Sequence, residues 1–117
     1  MKNRFIVVLT TTNSIQSAEK IAQILVKEKL AACVNILSKI QSIYCWKEKI
    51  CNEEEFLMFI KTQKKNYPRL EKRILKLHPY EVPELISIPI EQGNKNYLKW
   101  MIHETGLKKN IKRKTKS

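Results

Sequence analysis

The sequence predicts an α+β fold built on one antiparallel sheet, because apolar side chains recur at two different spacings along the chain. Short runs of β-branched and other apolar residues, typical of strands, alternate with segments whose apolar residues repeat every three or four positions, as in helices. The order is strand, helix, strand, strand, helix, strand, helix (β-α-β-β-α-β-α). This order is the split βαβ arrangement of a ferredoxin-like sandwich with one additional helix, and we expect the helices on one face of the sheet.

The first half of the chain predicts a strand, a helix and a long β-hairpin. Residues 5–10 form the strand, and residues 14–29 form an amphipathic helix that begins with the start pattern of Asn13 and Gln16. The hairpin turns near residues 47–48. Its apolar stretches are residues 31–37 and 43–46, separated by a polar kink, and residues 56–60.

The second half of the chain predicts two helices on either side of a short strand. The strand is LISIPI at residues 85–90, and Pro89 confines it to an edge or to a strand end. The residues that begin and end the helices are Asn66, Pro68 and Pro79 for the first, and Asn94 and Gly106 for the second.

The length of 117 residues allows one compact domain, which we place at residues 1–105. We expect a basic, disordered tail at residues 106–117, whose six Lys and Arg residues supply half of the formal net charge of +12. Most of the basic residues are Lys, in a chain that is also rich in Ile and Asn. We attribute the charge to this compositional bias and expect no specific nucleic-acid partner.

The composition excludes most enzyme classes that a motif would reveal. The chain has no Asp and only two Gly, so glycine-rich phosphate loops are absent, as are HExxH, paired CxxC and GxSxG motifs. Three cysteines are too few for a disulfide framework and suit a reducing compartment. With no signal peptide and no apolar stretch long enough to span a membrane, we expect a cytoplasmic protein that is not an enzyme.

The predicted strands are apolar on both faces, which a single layer of helices does not explain. In residues 56–60, Phe56, Met58 and Ile60 point one way and Leu57 and Phe59 the other. The second face needs a cover, and a second copy of the chain is the simplest one. We therefore expect a homo-oligomer.

Several spaced blocks of the sequence resemble the CutA divalent-cation tolerance family. The blocks are VLTT at 8–11, LAACVNI at 30–36, SIYCW at 42–46, KT at 61–62, HPYEVPE at 78–84 and NYLKW at 96–100. The resemblance implies a cytoplasmic homotrimer of ferredoxin-like subunits, similar to the PII signalling trimers, with long hairpins that pair between protomers. It also implies a role in tolerance to copper and other divalent metal ions, with copper as the bound ion.

The resemblance carries over only one of three metal ligands. Proposed copper ligands in some family members are a Cys at the end of the first strand and two adjacent His before a Pro-Tyr pair. The corresponding positions here are Thr10, Leu77 and His78, so His78 is the one candidate metal ligand. The alternative is that His78 ends a helix and is hydrogen-bonded to a carbonyl group.

The hairpin tip leaves two further questions open. Many family members have Gly where this chain has Glu48, and a positive φ there would strain the backbone by about 1 kcal/mol. Cys45 and Cys51 flank the tip: a three-residue loop would place their thiols opposite each other, and a two-residue loop would not. Cys33, in a buried strand, is expected to act as a small apolar residue.

Other polar and aromatic residues have simple structural interpretations. The acidic run at residues 53–55 is expected to be solvated, and Glu81 and Glu84 either lie exposed in a proline-stiffened loop or complete a weak site with His78. We expect the aromatic residues Tyr44, Trp46, Tyr80 and Trp100 to pack at the hairpin and at a subunit contact.

The sequence is compatible with three functions. The first is a divalent-metal (copper) binding protein in the response to metal ions. The alternative is a PII-like trimeric sensor that holds a small ligand between subunits, with residues 10–12 and Lys61 as hydrogen-bond donors. A third is a protein that binds its partner through the basic tail.

Overall fold

The structure, a computed structural model, describes residues 4–106 and contains one four-stranded antiparallel sheet and three helices in that range. The elements are β1 (Phe5–Thr12), α1 (Ile15–Lys27), β2 (Cys33–Trp46), β3 (Lys49–Gln63), α2 (Tyr67–Leu77), β4 (Ile86–Ile90) and α3 (Lys95–Glu104). The predicted order of elements and the ferredoxin-like fold are confirmed. Most of the predicted basic tail lies outside the described residues. Within them, no helix is long and apolar enough to cross a membrane.

The strand order in the sheet is β2-β3-β1-β4, and all neighbours are antiparallel. β3 therefore lies between β1 and β2, which is the split βαβ arrangement. β4 is an edge strand, as Pro89 predicted, because it pairs only with β1.

α1 and α2 cover one face of the sheet, which we call the inner face. Side chains of β1 and β3 such as Val8, Met58 and Ile60 are fully buried there against Leu25 and Ile74 of the helices. At about 25 cal/mol per Å² of apolar surface removed from water, this cluster is the main source of the fold's stability.

α3 packs on the opposite, outer face of the sheet, and only at one end. Met101 is buried there with Phe5 and Ala32, and Gln63 of β3 donates a 2.8 Å hydrogen bond to the hydroxyl of Thr105. The expectation that the helices share one face is therefore wrong. The physical reason is that Phe5 and its neighbours on the outer face are apolar and α3 buries them.

Beyond α3, residues 4–106 provide no element that covers most of the outer face. Leu37 of β2 and Ile86 and Ile88 of β4 remain about half exposed. This finding agrees with the sequence, in which both faces of the strands are apolar.

Two of the predicted helix starts need adjustment. Ser14, not Asn13, caps α1, because the Ser14 hydroxyl accepts the hydrogen bond from the N–H of Ser17. The side chain of Asn66 does not cap α2 but bonds Thr62 and Arg69. The prediction for the start of α3 is confirmed, because Asn94 caps this helix. At its other end, Gly106 follows the last residues of α3 but does not have a positive φ.

A β-bulge interrupts β2 at the predicted polar kink. Ser38 and Lys39 together stand opposite one residue of β3, between the pairs Leu37–Leu57 and Ile40–Glu55. Lys39 has a φ of 58°, in the left-handed region. The extra residue shifts the alternation of β2 by one position. Each side chain beyond the bulge therefore points to the face opposite the one that it would occupy in a regular strand.

The tip of the hairpin is a two-residue turn at Lys47 and Glu48, with φ values of 51° and 68°. Two successive positive φ angles define a type I′ turn, which strongly favours Gly at its second position. Cys45 pairs with Ile50 and Tyr44 with Cys51, so the two thiols are not opposite each other. Of the two alternatives for the tip, the two-residue loop is the observed one.

We predict that Glu48→Gly stabilises the protein by about 1 kcal/mol, because Gly adopts the left-handed conformation without a Cβ clash. The measurement is the free energy of unfolding from urea denaturation of the two proteins under the same buffer and protein concentration.

Glu54→Gly is the matched control, since Glu54 is exposed within β3 and is not among the residues with positive φ. This variant should lose stability, because Gly weakens a strand interior. Equal changes in the two variants would contradict the assignment of strain to the turn.

Candidate functional site

A cleft of about 730 Å³ lies on the outer face, at the hairpin end of the sheet. We call it the acidic cleft. Its walls are Thr11 of β1, residues of the hairpin strands, and the loop after α2. The lining residues are Thr11, Ser42, Ile43, Tyr44, Trp46, Glu53, Glu55, Tyr80, Glu81, Val82, Pro83 and Glu84.

The β-bulge decides which hairpin side chains face this cleft. Because the alternation shifts at Ser38 and Lys39, Ser42, Tyr44 and Trp46 share a face with Glu53 and Glu55. Regular alternation from Leu37 would have directed Tyr44 and Trp46 away from that face.

Two tyrosine hydroxyls donate hydrogen bonds to carboxylates in the cleft. Tyr44 bonds Glu53 at 3.0 Å, and this bond raises the pKa of Tyr44 to about 12. Tyr80 bonds Glu55, and burial, followed by this bond, raises the pKa of Tyr80 above its usual range. Both phenols therefore stay protonated at neutral pH and act as donors that orient the carboxylates.

Glu55 differs from the two other members of the acidic run. Glu53 and Glu54 are exposed, as predicted, but Glu55 is only 5% exposed. The prediction of a solvated run is therefore wrong at Glu55. The cause is the loop after α2, whose Tyr80 bonds the Glu55 carboxylate.

The cleft carries negative charge without a basic neighbour among its lining residues. Glu81 and Glu84 add two carboxylates to Glu53 and Glu55, and the lining includes no Lys or Arg. Such a surface attracts cations and repels anions.

His78 follows α2 and is buried, with an exposed fraction of 8%. Its Nδ1 accepts a 3.1 Å hydrogen bond from the backbone N–H of Tyr80, so the proton lies on Nε2, which donates to the carbonyl oxygen of Thr11 at 2.8 Å. Burial lowers the pKa of His78 below 6.5, against smaller opposite effects of the Thr11 bond and of Glu55. The ring is therefore neutral at pH 7, and it ties the loop after α2 to β1.

The residues around His78 do not fit a copper centre. Both ring nitrogens already have partners, Leu77 has no donor atom, and Thr10 has a hydroxyl instead of a thiolate. The Thr10 hydroxyl is buried and has no hydrogen-bond partner among residues 4–106. Within the same range no three His, Cys, Asp or Glu side chains lie close enough together to hold a metal ion.

The other sequence candidates are dispersed. The three cysteines are free, and Cys45 is exposed. Lys61 lies above the ring of Tyr97 near α3. It therefore does not join the Thr side chains, of which only Thr11 lines the cleft. Within one chain, Lys61 and residues 10–12 therefore do not line one cleft, and their predicted role between subunits stays a prediction.

Comparison with known proteins agrees with the fold and with the sequence blocks. A family model described as CutA1 divalent ion tolerance protein matches residues 6–104. A divalent-cation tolerance protein CutA of Thermus thermophilus is 45% identical over 100 residues, which are 86% of this chain and 97% of that protein. Protein CutA of Mus musculus is 50% identical over 84 residues, 72% of this chain and 48% of that protein.

A solved structure is also closely similar. The CutA of Archaeoglobus fulgidus, described as a periplasmic divalent cation tolerance protein, superposes with a TM-score of 0.85 at 35% identity, over 87% of this chain and 99% of that one. The fold thus defines a ferredoxin-like protein with a long hairpin, and the acidic cleft lies beside that hairpin. The chain belongs to the CutA1 divalent ion tolerance family.

We predict that His78 makes stability depend on pH between neutral and mildly acidic conditions. Because the folded protein holds the pKa of His78 below the unfolded value, the unfolded chain binds the extra proton first. The contribution of His78 to the free energy of unfolding is complete above pH 6.5 and is lost as the pH falls through the pKa of the folded protein. The free energy of unfolding falls by no more than about 1.4 kcal/mol per pH unit from this group. Urea denaturation at a series of pH values measures it.

His78→Gln should remove this part of the pH dependence, and His103→Gln, at a strongly exposed histidine, should leave it in place. A His78→Gln profile that parallels the wild-type profile would show that another group is responsible.

Proposed function

We propose that the protein acts in the response to divalent metal ions as a cytoplasmic, homotrimeric protein without catalytic activity. Membership of the divalent ion tolerance family, over residues 6–104, is the observation that supports this role. The Thermus thermophilus relative is named for tolerance to divalent cations, and neither its name nor that of the Mus musculus relative describes a reaction.

The uncovered outer face supports the trimer. Besides the half-exposed side chains of β2 and β4 on this face, the hairpin exposes Ile43 and Ile50, by 68% and 77%, at positions that alternate with Tyr44 and Trp46. A monomer rarely leaves apolar side chains of a sheet and of its hairpin exposed together, and a symmetric contact would bury them.

We predict that the protein has three times the 13.8 kDa chain mass in dilute solution, and that Ile88→Glu reduces it to the mass of one chain. The charge would be buried in the subunit contact without a partner. Light scattering coupled to size-exclusion chromatography measures the mass.

Val26→Glu serves as control, because Val26 is exposed by 44% but lies on α1, on the far side of the sheet. A wild-type monomer would contradict the proposal. A Val26→Glu variant that dissociates like Ile88→Glu would place the contact elsewhere.

The proposal includes copper binding by His78, which the hydrogen bonds of its ring limit. An ion can reach a ring nitrogen only by displacing the N–H of Tyr80 or the carbonyl of Thr11. One imidazole alone fixes neither the geometry nor the identity of a metal.

Because of these hydrogen bonds, we expect weak copper binding without saturation at one ion per chain. Anaerobic calorimetric titration of the reduced protein with Cu(I) and Cu(II) tests this, next to His78→Ala and Cys45→Ser/Cys51→Ser. Tight stoichiometric binding that only His78→Ala removes would establish His78 as the ligand and contradict our expectation. Loss only in the cysteine variant would assign the thiols instead.

A small-ligand sensor is the second candidate function, and the acidic cleft is the observation that favours it. Its volume of about 730 Å³ lies in the range of pockets that hold metabolite-sized ligands. The cleft opens on the face that the trimer would cover, so a neighbouring subunit would border it.

A further inference from the structure

We propose that the acidic cleft binds an organic cation, a ligand that carries ammonium or guanidinium groups on an apolar body. The inference deepens the second candidate function and rests on it, since it names the chemical class of the small ligand. Three features of the cleft support it: a buried carboxylate without a counter-charge, aromatic walls, and a volume too large for a bare ion.

The first feature is Glu55. Its side chain is 95% buried, and its hydrogen-bond donor is the neutral hydroxyl of Tyr80. Glu55 takes part in neither of the two ion pairs found within residues 4–106. His78 does not neutralise it, because a second proton on that ring would break the bond from Tyr80. A buried carboxylate is costly without a positive partner, and residues 4–106 of one chain hold no ion-pair partner for it.

The aromatic residues decide what kind of cation fits. Tyr44 and Trp46 remain about two-fifths exposed at the cleft although both are large and largely apolar. Ammonium and guanidinium groups are attracted to the faces of such rings, while Ile43 and Val82 offer contacts to an alkyl chain. The ammonium group of Lys47 lies 6.0 Å from the centroid of the Trp46 ring, so this ring is accessible to a cation.

A divalent metal ion fits the cleft less well. Mg²⁺ and Ca²⁺ need six or more oxygen ligands at short distances. Within residues 4–106 no group of three acidic or other ligating side chains is arranged to supply them. The carboxylates are instead distributed around a cleft of about 730 Å³, as suits a ligand with separated charges.

Two sources can provide this chemistry. One is a free polyamine or a similar metabolite. The other is the chain's own residues 107–117, which contain five Lys and one Arg.

The experiment is a titration of the full-length protein with spermidine at constant ionic strength, by calorimetry. In a Trp100→Phe background, Trp46 is the only tryptophan, and its emission reports on the cleft itself. We expect saturable binding that Glu53→Gln/Glu55→Gln weakens at least about tenfold, since hydrogen bonds to charged groups are lost. Trp46→Leu, which leaves the carboxylates intact, should weaken it about fivefold.

The matched control is Glu19→Gln/Glu91→Gln, which removes the same charge from exposed positions outside the cleft. Its affinity should stay within about twofold of the wild type. A thermal melt shows that each variant is folded. Equal weakening in the control would reduce the binding to nonspecific charge attraction and overturn the proposal.

Further arms separate this inference from the proposed sensor. Citrate binding that Trp46→Leu abolishes would overturn the organic cation but leave a small-ligand site in place, whereas binding of neither probe would contradict both. Stoichiometric displacement of spermidine by Mg²⁺ or Cu²⁺ would overturn the inference in favour of a metal site. A variant with all six basic residues of 107–117 changed to Gln identifies the source: tighter spermidine binding supports the chain's own side chains, and unchanged binding supports a free amine.

Discussion

The structure depends on a sheet that is apolar on both faces and has covering helices for only part of them. α1 and α2 bury Val8, Met58 and Ile60 on the inner face, but α3 reaches only the end of the outer face at Phe5 and Gln63. The remaining outer face carries apolar side chains that water solvates poorly. This one imbalance is the reason why we propose a second copy of the chain as a cover, and it leaves the cleft near the hairpin open.

The bulge at Ser38 and Lys39 divides the outer face into two chemically different parts. Before it, β2 presents Leu37 and adds to the apolar surface that suits a subunit contact. After it, the face changes to Ser42, Tyr44 and Trp46, opposite the carboxylates of β3. An extra residue in one strand thereby separates an apolar part of the face from a part lined by aromatic residues and carboxylates.

Local chemistry made much of the fold predictable, and contacts between distant residues explain the failures. Residues 5–10, the long hairpin and Pro89 at an edge strand follow from spacing and backbone constraints, which act within a few positions. The position of α3 depends on which face Phe5 needs covered, and the burial of Glu55 depends on Tyr80, 25 residues away. The polar kink near residue 38 signalled the bulge, but only the paired strand β3 shows which side chains it redirects.

The same long-range contacts favour the carboxylates of the acidic cleft over His78 as the candidate binding site. The ring of His78 holds the loop after α2 against Thr11, and this loop brings Tyr80 onto Glu55. The histidine that the family pattern marks as a ligand is thus used to build the wall of the cleft. Because a neutral, doubly hydrogen-bonded imidazole contributes no positive charge, residues 4–106 of one chain hold no ion-pair partner for the buried carboxylate, and we propose that a ligand supplies it. The cleft is therefore where we expect a cation to bind this chain, and its aromatic walls favour an organic one.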